Sequence, residues 1–254
     1  MEMEIDLNKS AQDNANDYFN RSKKAKRKAE GAELAVKELE AKKKGIEGIE
    51  QKRRVVKKIE KKEWYERFNW FMTSGGMLAI GGRNAQQNEL INSKYFESND
   101  LFFHADVFGA SAVILKNGVE SEKAAREEAA QFAACFSRAW EGGSSSATVY
   151  SLKREQISKS KEKGALGTGS FLMSGEREWF KNIALELAAF MDNGRIRIVP
   201  MSTCIALQAK GYLVLKPGNR KKSDAAKMIC GRLGFGDIDY VMQHLPAGGF
   251  SLKP

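Results

Sequence analysis

His104 and Asp106 stand two residues apart at the end of the apolar run Leu101-Phe102-Phe103. Strand side chains alternate in direction, so the two would face one side, as an acid/base pair requires. The preferred reading of that spacing is a structural hydrogen bond between imidazole and carboxylate. Gly109-Ala110-Ser111 and a second apolar run, Ala112-Val113-Ile114-Leu115, follow. A second polar cluster precedes them, Gly81-Gly82-Arg83-Asn84-Ala85-Gln86-Gln87-Asn88-Glu89. Its two glycines make a turn whose backbone N–H groups, with Arg83, could hold one phosphate. It is neither a Gly-x-x-x-x-Gly-Lys-Ser/Thr loop nor Gly-x-Gly-x-x-Gly. No serine–histidine–carboxylate order and no paired-carboxylate site emerges, so no catalytic residue is expected.

Two further stretches have anion-binding chemistry. Gln156-Ile157-Ser158-Lys159-Ser160-Lys161-Glu162-Lys163-Gly164, closed by Gly167-Thr168-Gly169-Ser170-Phe171, lacks an apolar period and reads as an exposed loop. Its lysines, glycines and hydroxyls suit phosphate contacts, and a plain surface loop is the alternative. Lys216-Pro217-Gly218-Asn219-Arg220-Lys221-Lys222-Ser223 reads as a basic turn, with Ser223 placed to cap a helix over Asp224 to Leu233. Helix N-termini favour anions, and Arg220, Lys221 and Lys222 add to that.

Metal and redox chemistry find little support. Cys135, Cys204 and Cys230 are far apart, without CxxC spacing, and only His104 and His244 accompany them. That argues against a zinc site and a disulfide framework, and no cofactor is expected. A reducing cytosol is the natural compartment. The first residues, Met1-Glu2-Met3-Glu4, are acidic and lack the apolar core of a signal peptide. No apolar run has spanning length and no lipid-anchor motif stands out, so no membrane partner is expected. The net charge of +10 and pI near 9.4 point instead to a polyanion, with phosphate the commonest kind.

These residues need a frame. Met77-Leu78-Ala79-Ile80 reads as a strand leading into the glycine turn, and Gln86 to Tyr95 as a helix leading out. Leu101–Phe103 and Ala112–Leu115 read as strands on either side of the His104 segment, so the polar groups sit at strand ends. Ala125, Ala129, Phe132, Phe136 and Trp140 form the buried stripe of a long helix over Ser121 to Glu141, with Cys135 a small core residue. Thr148–Leu152, Arg195–Val199 and Tyr212–Leu215 read as strands, Trp179–Met191 as helix or strand, and Ile238–Leu245 as a last helix. Trp64, Phe68 and Phe71 fit one helical face. They could stack nucleobases, but core anchorage is preferred.

The N-terminal part differs. Glu2 to Leu7 could be a short strand, with Asn8 or Ser10 capping the helix that follows. Ala11, Ala15, Tyr18, Ser22, Ala25, Ala29, Ala32, Val36 and Leu39 step by four and three in turn, a heptad seam. An alanine-rich helix of this kind is marginal alone, so a partner helix is expected. Arg21, Lys23, Lys24, Lys26, Arg27 and Lys28 lie on its outer face, either solvated or contacting phosphate. Gly45 and Gly48 imply a bend, or a turn between antiparallel helices, with a second helix from Ile49 toward Trp64. The expected organisation is a helical coiled-coil arm over 1–62, broken near 45–48, and an α+β domain over 63–254 with a mixed sheet and packed helices.

The segments Trp64-Tyr65-Glu66-Arg67-Phe68-Asn69-Trp70-Phe71, Gly81 to Glu89, His104-Ala105-Asp106 with Gly109-Ala110-Ser111, and Gln156-Ile157-Ser158-Lys159 followed by Gly169-Ser170-Phe171 carry a family resemblance. In that order they resemble the NFACT-R domain of ribosome quality control factors of the RqcH and NEMF type. Ile5 to Ala32 looks like the returning arm of that family's long coiled coil. The resemblance implies a non-enzymatic module that binds rRNA or tRNA. Relatives engage large ribosomal subunits carrying a stalled peptidyl-tRNA. The family's N-terminal NFACT domain, helix–hairpin–helix segment and outgoing arm have no counterpart in this sequence. The expected partners are therefore the large subunit, tRNA, and a separate NFACT half or a second copy pairing through the arm. The candidate RNA-contacting residues are Arg83, Asn84, Gln86, Gln87, Asn88, His104, Asp106, Ser158, Lys159, Arg220, Lys221 and Lys222. Arg83 and Lys159 would meet phosphate, the amides base edges, ribose or phosphate, and His104 and Asp106 would orient the site. The alternatives are a standalone RNA-binding or RNA-modifying accessory protein, and a scaffold that works through its arm.

Overall fold

The computed structural model describes residues 5–8, 10–56, 63–158 and 171–253. The chain divides into two compact units, residues 1–61 and 62–254. In the first, residues 5–8 form no strand, and Ser10 rather than Asn8 caps the helix, its Oγ accepting from the Asp13 N–H at 3.1 Å. Helix α1 then runs over Ala11–Val56. It passes through Gly45 and Gly48 without the turn that would separate two helices. The seam residues Ala11, Ala15, Ser22, Ala25, Ala29, Ala32, Val36 and Leu39 are all exposed.

The second unit is α+β. Its first part is β1 (Asn69–Met72), β2 (Leu78–Gly81), α2 (Ala85–Leu90), β3 (Leu101–Ala105), β4 (Val113–Leu115), α3 (Lys123–Cys135), α4 (Arg138–Glu141) and β5 (Ser146–Lys153). Then come β6 (Ile157–Ser158), β7 (Leu172–Met173), β8 (Glu178–Ala184), β9 (Leu187–Asp192), β10 (Arg195–Pro200) and α5 (Met201–Ala206). Last are β11 (Leu213–Arg220), α6 (Lys222–Leu233), α7 (Ile238–His244) and β12 (Phe250–Lys253). A six-stranded sheet has the order β1-β2-β4-β3-β5-β8, a four-stranded sheet β10-β9-β11-β12, and β6 pairs with β7. The sequence reading expects a mixed sheet, but every described ladder is antiparallel. Short connections such as Thr73–Met77 suffice for antiparallel neighbours, whereas parallel ones need long crossovers.

Strand alternation gives the six-stranded sheet two buried faces. Leu101, Phe103, Ala105, Val113, Leu115 and Val149 point into the larger core, shared with α3 and the four-stranded sheet. Ile80, Phe102, Ile114, Tyr150 and Leu152 point to the opposite face, into a smaller core with Phe68, Ile91 and Phe96. Cys135, Cys204 and Cys230 lie in the larger core, from α3, α5 and α6, all as free thiols. Helix α3 also buries polar groups. Glu128 is 2% exposed, and its carboxylate accepts from the Ser74 N–H at 2.8 Å, the Ser74 hydroxyl, and Thr203 Oγ1 at 2.9 Å. Gln131 donates to the Ala184 carbonyl at 3.0 Å and accepts from the Ser202 N–H at 2.9 Å. One helix thus pins the β1–β2 turn, the end of β8 and the start of α5.

Four local expectations change. The 64–72 segment is not one helix. It is a 3₁₀ turn, Trp64–Arg67, followed by β1, because Phe68 and Phe71 enter opposite cores. The long helix over 121–141 is broken at Ser137, whose hydroxyl donates to the Ala134 carbonyl at 2.7 Å and accepts from the Ala139 N–H at 3.2 Å, capping α4. The 179–191 segment becomes two strands in different sheets, β8 bulging where Asn182 takes φ 55°. Ser223 lies inside α6 rather than capping it, since β11 extends to Arg220 and Lys221 holds the cap position.

Candidate nucleic-acid interface

The glycine turn after β2 is closed by its own side chains. Asn84, extended at φ −157°, caps α2, its side chain accepting from the Gln87 N–H at 2.9 Å. Gln87 Oε1 accepts from the Arg83 N–H at 3.0 Å, and its Nε2 donates to the Arg67 carbonyl at 3.2 Å. Asn88 Oδ1 accepts from the Ala112 N–H at 3.3 Å, and the Gly82 N–H donates to the Ala112 carbonyl at 3.2 Å. The N–H groups of Gly82 and Arg83 are therefore bonded within the protein, which removes them as a phosphate cradle. Arg83 Nη2 donates to the carbonyls of Phe68 at 2.9 Å and Glu66 at 3.4 Å. Burial lowers its pKa, though a guanidinium keeps its charge at neutral pH. Asn84, Gln87 and Asn88 thus build the surface, and Gln86 stands exposed on it.

His104 is the penultimate residue of β3, on the smaller-core face. Its Nδ1 lies 3.3 Å from Tyr150 Oη, so its side-chain partner is a phenol rather than the Asp106 carboxylate. Asp106 lies just past the strand and is exposed, its N–H donating to the Thr148 carbonyl at 2.8 Å. Tyr150 Oη also donates to Met173 Sδ at 3.0 Å. Met173 sits on β7, which pairs with β6, where Ser158 is exposed opposite Leu172. Lys159 and the rest of the lysine loop to Ser170 lie outside the described residues. Arg177 extends over the Tyr150 ring at 4.4 Å and the Trp179 ring at 5.7 Å.

Burial pushes the His104 pKa down. The backbone of Ala105 and Ala110 and the Asp106 charge oppose this, while Arg177 adds to it. The folded state then binds a proton less readily than the unfolded chain, so stability is lost as pH falls below about 6.5. His104→Gln is expected to lose less stability than the parent between roughly pH 7.5 and 5.5. Urea unfolding followed by tryptophan fluorescence checks this, and parallel losses in the two proteins would contradict it.

Arg220 and Lys221, at the end of β11, are exposed. Lys222 donates to the Leu245 carbonyl at 2.7 Å, and its pKa is lowered by burial and by the Arg83 charge. The basic turn and the glycine turn are thus electrical neighbours, although 137 to 139 residues of sequence separate Arg83 from Arg220 and Lys222. Sequence reasoning preferred core anchorage for Trp64 and did not pick out Tyr95, Tyr150 or Trp179 as aromatics of the site. Trp64 stacks on Tyr95, and Trp179 meets Tyr150 edge to face. The clue was an aromatic repeatedly next to a cation, as in Lys94-Tyr95 and Arg177-Glu178-Trp179. Among the described residues no group of histidine, cysteine and carboxylate side chains could hold a metal ion, and no helix is long and apolar enough to cross a membrane.

Residues 67–175 match the family described as the NFACT protein RNA binding domain. The chain carries an NFACT-R domain. The match takes in β1 to β7 with the glycine turn and the His104–Tyr150 pair. Trp64, Trp179 and the basic turn lie outside it. The chain is 36% identical over 199 residues to the archaeal Rqc2 homolog aRqcH of Methanocaldococcus jannaschii, covering 75% of this chain and 29% of that protein. It is 36% identical over 175 residues to the human ribosome quality control complex subunit NEMF, covering 65% and 16%. It is 31% identical over 190 residues to ribosome quality control complex subunit 2 of Schizosaccharomyces pombe, covering 70% and 18%. The chain therefore spans less than a third of the length of each of these relatives. A solved C-terminal portion of the fibronectin/fibrinogen-binding protein from Streptococcus suis aligns at a TM-score of 0.41 and 22% identity, over 51% of this chain and 49% of that one.

Proposed function

We propose that the NFACT-R domain gives this chain an RNA-binding role in ribosome quality control. In this reading it engages large ribosomal subunits that retain a peptidyl-tRNA, through rRNA or tRNA, and catalyses no reaction itself. It acts in the cytoplasm with an NFACT half. The exposed alanine seam of α1 pairs with that half's outgoing helix or with a second copy. The observation that carries the reading is the match of residues 67–175 to an RNA-binding family. The net charge of +10 and the nearness of Lys222 to Arg83 support it. Gln86, Ser158, Lys159, Arg220 and Lys221 are the groups that reach RNA. Asn84, Gln87 and Asn88 hold the turn, Arg83 and Lys222 add charge, and His104 with Asp106 shapes the neighbouring edge.

Cationic contacts release counterions, so affinity for ribosomal RNA is expected to fall steeply between roughly 50 and 200 mM salt. Reversing both exposed charges, Arg220→Glu with Lys221→Glu, is expected to weaken binding on the order of tenfold or more. It should also flatten the logarithmic salt slope by about two, one per phosphate contact. Fluorescence anisotropy with an rRNA fragment measures both. A double variant with the parental slope would remove the basic turn from the interface. A parent that binds no RNA at low salt would end the RNA reading.

A further inference from the structure

The 3₁₀ turn that was expected to bury its aromatics leaves one of them open. Trp64 is 43% exposed, a large apolar surface left in water. One of its faces lies flat on Tyr95, with ring centroids 4.7 Å apart and planes 8° apart. Beside the pair is an open depression of about 320 Å³, lined by Glu63, Trp64, Glu66, Arg67, Arg83, Tyr95 and Gln243. That volume sits at the lower end of the range for small-molecule sites.

The walls are held before anything binds. The Arg67 guanidinium donates to Tyr95 Oη and lies 5.3 Å from the Tyr95 ring centre and 4.9 Å from that of Phe68. Arg83 is tied to two carbonyls through Nη2 alone, and a guanidinium carries five N–H donors. Glu66 is drawn toward Arg195, with 3.9 Å between their charged atoms, while Glu63 is exposed at the rim. Little side-chain freedom is left to lose on binding, which favours a rigid, flat ligand.

The set of groups defines that ligand. A stacked indole and phenol offer a π-face, two guanidiniums offer donors to an anion, and a rim carboxylate accepts from an N–H group. We propose that this depression takes one unpaired, amino-bearing nucleobase of a bound RNA. The base stacks on the open face of Trp64, which Tyr95 backs from the other side, its phosphate faces Arg67 and Arg83, and its exocyclic amine donates to Glu63. Uracil, which lacks that amine, fits less well. This rests on the RNA-binding reading and adds to it a specific single-strand subsite outside the basic turn.

The test uses the full chain and a short single-stranded RNA carrying one 2-aminopurine. Binding is expected to quench the 2-aminopurine emission through stacking. Trp64→Ala is expected to abolish the quench and weaken affinity about tenfold, within the range for one base–aromatic stack. Trp64→Phe keeps a ring and should keep most of both. The parent should bind oligoadenylate several-fold more tightly than oligouridylate, and Glu63→Gln should erase much of that difference. If Trp64→Ala leaves quench and affinity unchanged while the Arg220 and Lys221 reversal weakens binding, the subsite falls and the RNA reading stands. If the parent binds none of these RNAs or the rRNA fragment, both fall.

Discussion

Replacing Glu128 with alanine is expected to destabilise the 62–254 unit by about 3 kcal/mol, the largest effect of any polar substitution proposed for this chain. The carboxylate is 2% exposed and accepts three hydrogen bonds, from the Ser74 N–H, the Ser74 hydroxyl and the Thr203 hydroxyl. Removing it leaves those donors in the interior without an acceptor, and each such group costs about 1–3 kcal/mol. It also cuts the tie between α3, the β1–β2 turn and α5. For a unit of this size the loss corresponds to a melting point lower by roughly 6–12 °C. Glu128→Gln keeps the shape and one acceptor oxygen, and should lose less than half as much. All four tryptophans lie in this unit, so their emission follows its melting separately from α1. A loss under about 1 kcal/mol for Glu128→Ala would mean that water replaces the carboxylate at no cost.

Gly82→Ala is expected to cost about 2–3 kcal/mol and to loosen the turn that carries Gln86. A Cβ at this position would stand 2.1 Å from Asn88 Oδ1 and 2.8 Å from the Asn88 backbone nitrogen. The amide oxygen could swing away only by giving up the Ala112 N–H. The backbone nitrogen could withdraw only by shifting the start of α2. Because Asn84, Gln87 and Arg83 form one bonded group, the shift reaches the carbonyls of Phe68 and Arg67. Amide exchange of 84–90 should rise by more than that of α3. Equal protection of α2 in the two proteins would show that the turn absorbs a methyl group without moving. Gly75 makes a suitable comparison, since its nearest obstacle, Thr73 Oγ1, is 4.0 Å away.

The sequence is most legible where one periodicity acts alone. The Ala125-Ala129-Phe132 stripe appears as expected because one core reads it from a fixed direction, and the runs at 101–103 and 112–115 appear as strands because both of their faces are buried. It is least legible where a helical spacing or an unbroken apolar run spans residues that belong to different elements. Trp64, Phe68 and Phe71 have helical spacing, yet Phe68 and Phe71 lie on opposite sides of a sheet, which local pattern does not encode. The 179–191 stretch likewise looks continuous, but its halves join different sheets. The polar cluster at 83–88 is picked out by residue type, which does not distinguish a group that meets RNA from one that holds the loop. Asn84 and Gln87, three apart, also fit a helix-capping pattern, and that pattern accounts for the Asn84 bond, while Gln87 reaches the Arg83 N–H one residue before the cap. The closeness of Lys222 to Arg83 depends on how α6 packs, which no local pattern records.

The three cysteines give the fold its own reporter. Each is buried and unoxidised, and they come from α3, α5 and α6, three separate helices around one core. A thiol acts as a nucleophile only when ionised, and burial raises the pKa of all three. The native chain should therefore be nearly inert to alkylating reagents, and each sulfur should become reactive only when its helix leaves the core. The order in which the three are modified would trace the sequence in which the domain comes apart. A cysteine introduced at an exposed position such as Lys221 would be the one quickly reacting thiol among the described residues, open to a dye or crosslinker without altering the interior.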